Sequence, residues 1–517
     1  MEPSAGGGAP ADFSLQEIGI EVSLRARGFE ARNALAWLSG RRLELLLIVG
    51  LGLLVLCSGI SKPPLVDWDE ATYAEVVHEA IANHRYLDFT WNGQPYLKKP
   101  PLLFWSMVGS FKVFGESELA ARLPSVATGL ATLVLIYLIG AGAAGRLAGA
   151  VAAIIPLQFY FFVARGGRDC ATDGPLLCFI TLAMYGLMRA PERRRFSALA
   201  GAASGLAILS KGLAGTIPLI IAPLAIVVVP GFEAIGVGGI AVIFGCAAAV
   251  AAPWYLYEAV YNPLFWTSFI GHETLARVVS HLEDETHSGW YTLHVFAKEV
   301  RFLWPLILPA GAMAAVAARR GGIRPILTGL GGATKLWILW LVVAFGAACA
   351  VQTKLPWYVL PALVPSALLA GTVVARALEY RGAMRGGVAA AAILAIAVIV
   401  AGAPQRARMI SRAYENQRLR STPSYAIGLK ARRAAALLSG GALYYAGVEL
   451  PTLVYYSGMR CKFVLNPDEL TPVTDVGGDA PPSMGPKDLV LVDPQREAIV
   501  IGNFVQEWAE SGPGRSR

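Results

Sequence analysis

The sequence predicts a mainly α-helical protein, a polytopic bundle of transmembrane helices followed by a small α/β domain. Of the 517 residues, 55% are hydrophobic and only 15% are charged, whereas a soluble domain carries about 25% charged residues. Mean hydropathy is +0.52, and apolar runs long enough to cross a bilayer recur along the chain. From about residue 404 the hydropathy falls, which indicates a water-exposed domain at the end.

The apolar runs predict about eleven membrane spans, since a helix needs roughly 20 apolar residues to cross a bilayer. The first run begins near Leu43, too late for a cleavable signal peptide, so we expect it to remain as an anchor. The predicted spans cover 43–60, 122–141, 147–164, 172–189, 196–212, 214–230, 236–254, 299–318, 336–352, 356–375 and 386–403.

The net charge of +8 comes mostly from arginines that cluster between these runs, which indicates topology signals rather than a nucleic-acid surface. The clusters lie in the N-terminal tail and at 146, 193–195, 319–324 and 376–385. Placing them all inside predicts an inner-membrane protein in three parts. The parts are a cytoplasmic tail at 1–42, a transmembrane domain at 43–403 and an extracytoplasmic domain at 404–517.

Two long loops then face the outside, 61–121 and 255–298, and they hold all six histidines of the chain. Polar composition is normal for loops, but it does not explain why the inner loops have no histidine. We therefore expect an extracytoplasmic active surface. In the C-terminal domain, alternating apolar residues predict short strands and an Ala/Leu-rich run predicts a helix. The strands are predicted at 443–445, 452–456, 462–465 and 488–492, and the helix near 427–438.

The first outer loop concentrates carboxylates and lysines beside apolar segments, where charges are costly and usually functional. Its residues 69–82 carry apolar side chains three or four apart, which predicts an amphipathic helix at the interface. Residues 102–114 are apolar but too short to span, so we expect an interfacial or re-entrant helix.

An ordered set of motifs runs through the outer loops and the span ends. The motifs are Asp69-Glu70-Ala-Thr-Tyr73-Ala-Glu75, Asn92-Gly93-Gln-Pro-Tyr96-Leu-Lys98-Lys99-Pro100-Pro101, Ala121-Arg122-Leu-Pro124-Ser125, Arg168 with Thr172-Asp173, Ser210-Lys211-Gly212, Pro253-Trp254-Tyr255, Gly271-His272-Glu273 and Lys354-Leu-Pro356-Trp-Tyr358. In this order they resemble GT-C glycosyltransferases of the dolichyl-phosphate-mannose protein mannosyltransferase family, especially its bacterial aminoarabinose-transferase-like branch. The resemblance runs from about residue 43 to 375.

The resemblance implies a membrane enzyme that moves a sugar from a polyprenyl-phosphate carrier to an outer-face acceptor, which is a lipid, lipopolysaccharide or a protein. It implies that Asp69 is the catalytic aspartate, with Asp173 as a second acidic position. An acceptor hydroxyl does need a carboxylate within hydrogen-bond reach to take its proton. Asp67 and Glu70 remain alternatives for this base, and acidic residues also suit the start of any helix.

The leaving group would be a lipid phosphate, which needs positive charge at the membrane surface. Lys99 is implied to contact it, and the prolines that follow restrict its backbone. Arg165 or Arg168 would add a second cation, or would only pair with Asp169 or Asp173. The substrate contacts expected in full are Tyr73, Lys98, Lys99, Arg122, Arg165, Arg168, Lys211, His272, Glu273 and Lys354. Lys211 and Lys354 also suit simple helix anchoring.

The sequence departs from the resembled branch at a position that concerns a metal cofactor. The aminoarabinose-transferase-like branch usually has a glutamate, part of a divalent-metal site, where this chain has Lys98. Four residues of the second outer loop remain weak metal candidates because their donor atoms suit zinc-type sites. They are His272, Glu273, His281 and His287.

Two other functions fit parts of the sequence. A flippase for a lipid-linked saccharide would also need a basic lipid site, but it would not need Asp69 as a base. Transporters often have repeated halves, and no internal repeat is evident here. A scaffold that displays the C-terminal domain would leave the clustered charges of the first loop unexplained.

Overall fold

The computed structural model describes residues 41–280, 290–305, 331–379 and 450–464, together with short stretches at 408–446 and 489–492. Four predicted segments lie wholly or mostly outside the described residues. They are the tail 1–42, the span 299–318, the span 386–403 and the domain 404–517. His281 and His287 also lie outside them.

The described chain is mainly helical, as its apolar runs predict. The α-helices are α1 Arg42–Cys57, α2 Asp69–Ala82, α3 Leu102–Phe114, α4 Glu118–Ala144, α5 Arg146–Ile154, α6 Tyr160–Gly167, α7 Asp173–Arg189, α8 Arg194–Lys211, α9 Ile217–Val228, α10 Gly236–Tyr261, α11 Tyr291–Val300, α12 Gly332–Ala350, α13 Leu360–Glu379 and α14 Pro451–Ser457. A π-helix covers Phe265–Ala276 and one further turn covers Arg277–Val279. Single 3-10 turns lie at Ile155–Gln158, Gly212–Thr216, Phe232–Ile235, Arg301–Leu303 and Pro356–Val359.

Five of the described helical stretches are long and apolar enough to cross a membrane, so the protein is multi-pass. They are Glu118–Ala144, Arg194–Val228, Phe232–Tyr261, Gly332–Ala350 and Pro356–Arg376. A sixth span is possible in length if the pair Arg146–Gln158 and Tyr160–Gly167, bent by 82°, counts as one. Helices α1 and α7, with 16 and 17 residues, coincide with two further predicted spans but are slightly shorter.

The stretch Arg194–Val228 is a helical hairpin rather than one long rod. In a straight helix Ala207 and Gly215, which are eight positions apart, would be separated by about 12 Å. A Cβ atom at Gly215 would instead lie 2.3 Å from the carbonyl carbon of Ala207. Gly212 supplies the reversal with φ of +56°, a backbone conformation that favours glycine. Helices α8 and α9 overlap the residues of the two spans predicted at 196–212 and 214–230, although α9 has only 12 residues.

The core has two parts, one among the long apolar helices and one in the loop after α1. The larger part packs apolar side chains of α1, α4 to α9, α12 and α13 together, with Trp337 and Trp340 fully buried. A second apolar cluster joins α2, α3 and the start of α4 through Tyr73, Phe104 and Met107. The loop between the first two predicted spans is thus a folded unit with its own core, and it holds α2 rigidly against α3.

The C-terminal segment contains both a confirmed and a wrong prediction. Strands β1 Leu443–Ala446, β2 Cys461–Val464 and β3 Leu489–Val492 form a parallel sheet in the order β2-β1-β3, at the positions where three strands were predicted. The strand predicted at 452–456 is wrong, because that segment is helix α14. Pro451 begins this helix and Gly458, with φ of +62°, ends it, and these end signals outweigh the β-branched residues between them.

Candidate active site

Asp69 lies at the first turn of α2, and its carboxylate is engaged on both oxygens. The Tyr73 hydroxyl donates to Oδ1 at 3.0 Å from one turn further along the helix. The Arg165 guanidinium donates to Oδ2 from helix α6. Asp69 is one third exposed on its side chain, so it stays reachable from outside despite these partners.

Arg165 and Lys211 connect Asp69 to Asp173, which begins helix α7. Arg165 donates to Asp173 Oδ2 at 3.3 Å, and Lys211 Nζ donates to Oδ1 at 2.6 Å. Two aromatic rings cover the cations: Arg165 lies 4.3 Å from the ring centroid of Trp357, and Lys211 lies 5.5 Å from that of Tyr358. Both rings come from the turn before α13, so four separate segments of the chain meet here.

Lys99 forms a second arm of the site. Its Nζ lies 3.3 Å from Oε2 of Glu273, and Arg277 Nε donates to the same oxygen at 3.1 Å. Glu273 and Arg277 are four residues apart on the π-helix and its continuation. A π-helix is rare and occurs often at functional sites. We call these seven residues the ionic cluster: Asp69, Lys99, Arg165, Asp173, Lys211, Glu273 and Arg277.

Electrostatics keep the carboxylates of Asp69 and Glu273 charged. Burial by itself would raise the pKa of Asp69, but the charges of Arg165, Lys99 and Lys211 hold that pKa well below its usual range. Burial would likewise raise the pKa of Glu273. The charges of Lys99 and Arg277 outweigh this effect, so the pKa of Glu273 is lowered. Four cations thus face three carboxylates, which leaves one positive charge in excess.

Glu70 and Arg122, both predicted site residues, form a buried structural pair instead of joining the ionic cluster. Arg122 is fully buried and donates to Glu70 at 2.8 and 2.7 Å. Arg122 also donates to the carbonyls of Ile60, Pro63 and Pro64. Glu70 accepts from backbone N–H groups of Val66 and Cys170 as well. These contacts fasten the loop after α1 to α2 and α4.

Arg168 and Lys354 are likewise occupied with backbone carbonyls at helix ends. Arg168 donates to the carbonyls of Val55, Leu56 and Ser58 at the end of α1. Lys354 donates to two carbonyls at the end of α12, both at 2.5 Å. A cation at a helix C-terminus satisfies carbonyls that lack partners there and suits the helix dipole. The geometry therefore favours a structural role for both.

Lys98 and His272 lie at the exposed edge of the site. Lys98 is exposed, and the His272 side chain is 63% exposed, with Nδ1 at 3.6 Å from Glu273. Within the described part of the chain, no three His, Cys, Asp or Glu side chains converge as metal ligands would. The described residues of the site therefore do not fit the divalent-metal site of the aminoarabinose-transferase-like branch.

Three features of the site were missed by reasoning from the sequence. Arg277 was overlooked, although its spacing of four from Glu273 is a signal for an ion pair on a helix. Trp357 and Tyr358 cover Arg165 and Lys211, whereas aromatic residues at a span end ordinarily indicate only an interfacial belt. The contact of α14 with the first loop had no signal, because it joins residues almost 400 positions apart.

Comparison with known proteins gives consistent matches. The family model for dolichyl-phosphate-mannose-protein mannosyltransferase matches residues 98–257. An undecaprenyl phosphate-alpha-4-amino-4-deoxy-L-arabinose arabinosyl transferase of Pseudomonas aeruginosa is 26% identical over 380 residues, which is 70% of this chain and 66% of that protein. One of Pseudomonas fluorescens is 28% identical over 317 residues, 59% of this chain and 55% of its own length. The chain thus spans between about half and two thirds of these relatives.

Solved structures show the same fold. ArnT from Cupriavidus metallidurans bound to undecaprenyl phosphate matches with a TM-score of 0.65 at 21% sequence identity, covering 81% of this chain and 85% of ArnT. Its apo form matches with a TM-score of 0.62 at 20% identity, covering 83% and 86%. At this level of identity the likeness concerns the arrangement of helices, and the side chains must be judged on their own geometry.

Proposed function

We propose that this chain transfers a sugar from a polyprenyl-phosphate donor to an extracytoplasmic acceptor. The chain is a member of the dolichyl-phosphate-mannose-protein mannosyltransferase family and is ArnT-like in sequence and fold. The observation that carries this proposal is the ionic cluster, which holds an ionised, partly exposed aspartate among four cations. A carboxylate for the acceptor and cations for the leaving phosphate are the two requirements of such a transfer.

The excess positive charge suits a lipid phosphodiester. A phosphate binds well where fixed cations with several N–H donors are already gathered, because charge-assisted hydrogen bonds are the strong ones. Lys99, Lys211 and Arg165 supply these donors. Their charge also stabilises the phosphate that gains negative charge as the bond to the sugar breaks. Asp173 and Glu273 hold Lys211 and Lys99 in place.

Apolar residues next to the two lysines suit the prenyl chain of the donor. Leu97 and Leu209, each two residues from a lysine, pack in one cluster with Trp254, Phe265 and Phe269. The last two rings stack at 5.4 Å with an interplanar angle of 7°. These five side chains are buried, and the partly buried members Leu102, Tyr255 and Ile270 of the same cluster would contact the tail of an amphipathic donor beside the cations for its head.

Asp69 would take the proton of the acceptor hydroxyl. The charge of Arg165 keeps the pKa of Asp69 low, which makes Asp69 a weak base. A donor phosphate would compete with Asp69 for Arg165, and loss of that partner would raise the basicity of Asp69. Asp69 would then become an effective base only once the donor is bound.

The relatives' names suggest undecaprenyl phosphate-linked 4-amino-4-deoxy-L-arabinose as the donor, and we propose a lipid-linked donor of this type for this chain. A lipid of the outer face is the proposed acceptor, with lipopolysaccharide or protein as the other outcomes of a test. The proposed orientation places 1–42 in the cytoplasm and 61–121, 255–298 and 404–517 outside, which follows from the arginine clusters.

Mass spectrometry of envelope lipids and glycoproteins in a deletion strain tests the function. Complementation with the wild-type chain should restore one sugar-modified species that Asp69→Asn does not restore. Asp88→Asn is a matched control, because Asp88 is an exposed aspartate of the same loop that pairs only with Tyr257 among the described residues. A flippase would move its lipid with Asp69→Asn, so restoration by that variant would refute the proposal.

A further inference from the structure

The turn that leads into Asp69 is held by the C-terminal segment of the chain. Tyr456 of α14 lies in the same buried cluster as Leu65 and the apolar face of α2. Its hydroxyl accepts from the backbone N–H of Leu65 at 2.7 Å and donates to Glu118 at 2.9 Å. One buried hydroxyl thus joins the turn before α2 to the start of α4.

A second contact from α14 holds the same turn two residues later. The backbone N–H of Thr452 donates to Asp67 Oδ1 at 2.9 Å. From the opposite side, Glu70 accepts from the N–H of Val66 at 3.1 Å. The three residues before Trp68 are therefore each tied by a hydrogen bond, two of them to α14.

The turn needs such support because its last residue is strained. Trp68 has φ of +74° and ψ of −115°, in a region that bulky L-residues rarely adopt. Its side chain is 62% exposed, so its own packing contributes little to that conformation. A strained backbone persists only when its surroundings fix it, and such residues are found mainly at functional sites. Asp69 follows directly, so the direction of its carboxylate depends on this turn.

We infer that Tyr456 is a positioning residue for Asp69, acting through Leu65 and the strained Trp68. The inference rests on the proposed function of Asp69. The C-terminal segment would then be part of the catalytic apparatus without touching the substrate. Loss of the hydroxyl would leave the N–H of Leu65 without its partner, and Asp69 would sample directions that do not reach the acceptor.

The test compares Tyr456→Phe with Tyr455→Phe in the purified full-length protein, with undecaprenyl-phosphate-linked sugar as donor. The two tyrosines are neighbours on α14, but only Tyr456 bonds to the turn. Tyr456→Phe should lower kcat by about 10- to 100-fold, as small misplacements of a catalytic group do. The donor KM should stay within about twofold, and Tyr455→Phe should match wild type. Asp67→Ala provides the same comparison if Tyr456→Phe does not fold.

Three results would overturn the inference: an unchanged kcat in Tyr456→Phe, an equal loss in both tyrosine variants, or a loss confined to the donor KM. If Tyr456→Phe does not fold, an unchanged kcat in Asp67→Ala would do the same. Asp69→Asn belongs in the same assay. An inactive Asp69→Asn beside an unaffected Tyr456→Phe defeats the positioning role alone, whereas an active Asp69→Asn defeats the proposed function.

Discussion

At the residue scale, the two neighbouring lysines of the first loop differ in surroundings. Lys99 is held by Glu273 and lies close enough to Asp69 to lower its pKa, while Lys98 is exposed. Both lysines were expected to contact the substrate, and the family resemblance alone singled out Lys99 for the phosphate, because adjacent identical residues carry no signal of direction. Only the path of the chain through Pro100 and Pro101 decides which lysine turns inward.

Lys99→Ala should raise the donor KM by about 10- to 100-fold, the value of a hydrogen bond to a charged group. The matched variant Lys98→Ala should change it by less than about threefold. Steady-state transfer with varied donor concentration measures both. Equal effects of the two substitutions would contradict the assignment of Lys99 to the phosphate.

Glu75 offers a test of stability against pH. It is 5% exposed on α2, and one of its oxygens lacks a partner among the described residues. Burial, with help from the charges of Glu79 and Glu116 and against that of His78, raises its pKa from 4.5 to about 7. The folded state therefore binds more protons than the unfolded state between these two values, so this group makes the protein less stable as pH rises through that window.

Glu75→Gln should remove this dependence. The variant should gain about 1–3 kcal/mol over wild type at pH 8 and much less at pH 5. Thermal unfolding in detergent at the two pH values measures the difference. If the difference in stability between Glu75→Gln and wild type were the same at pH 5 and pH 8, Glu75 would be charged at both pH values.

At the scale of elements, the sequence predicted the positions of helices better than the contacts between them. Periodicity placed α2 at 69–82 and hydropathy placed α3 at 102–114, and the structure has both helices at those residues. The strand predicted at 452–456 failed because Val454 and two tyrosines favour strands locally. The end signals of Pro451 and Gly458 were not weighed, and these decide in favour of a helix.

The hairpin of α8 and α9 depends on a small residue at its turn. Gly215→Ala would place a methyl group 2.3 Å from the backbone of Ala207, so we expect a loss of about 1–3 kcal/mol in the free energy of unfolding. Gly142→Ala is the control, since a Cβ there meets no atom within 4 Å. Thermal unfolding in detergent compares them, and equal melting temperatures would argue against the tight reversal.

At the scale of the whole molecule, charge organises the site. Loops and helix ends from five parts of the chain bring four cations and three carboxylates together. Asp69, Lys99, Arg165, Asp173 and Lys211 were expected as site residues, most of them from the family resemblance, and ionisable residues near apolar spans are usually functional. The sequence did not separate them from Glu70, Arg122 and Arg168. Those three carry the same charges in the same motifs, and only the fold turns them toward backbone carbonyls and each other.

The most direct test of this account is single-turnover transfer by Asp69→Asn with the undecaprenyl-phosphate-linked donor already bound. Loss of a catalytic base costs about 100- to 10,000-fold in rate, whereas the cations that bind the phosphate are unchanged. We predict a transfer rate at least about 100-fold below wild type, with a donor Kd within about threefold. A transfer rate equal to wild type at full donor occupancy would contradict the assignment of Asp69 as the base.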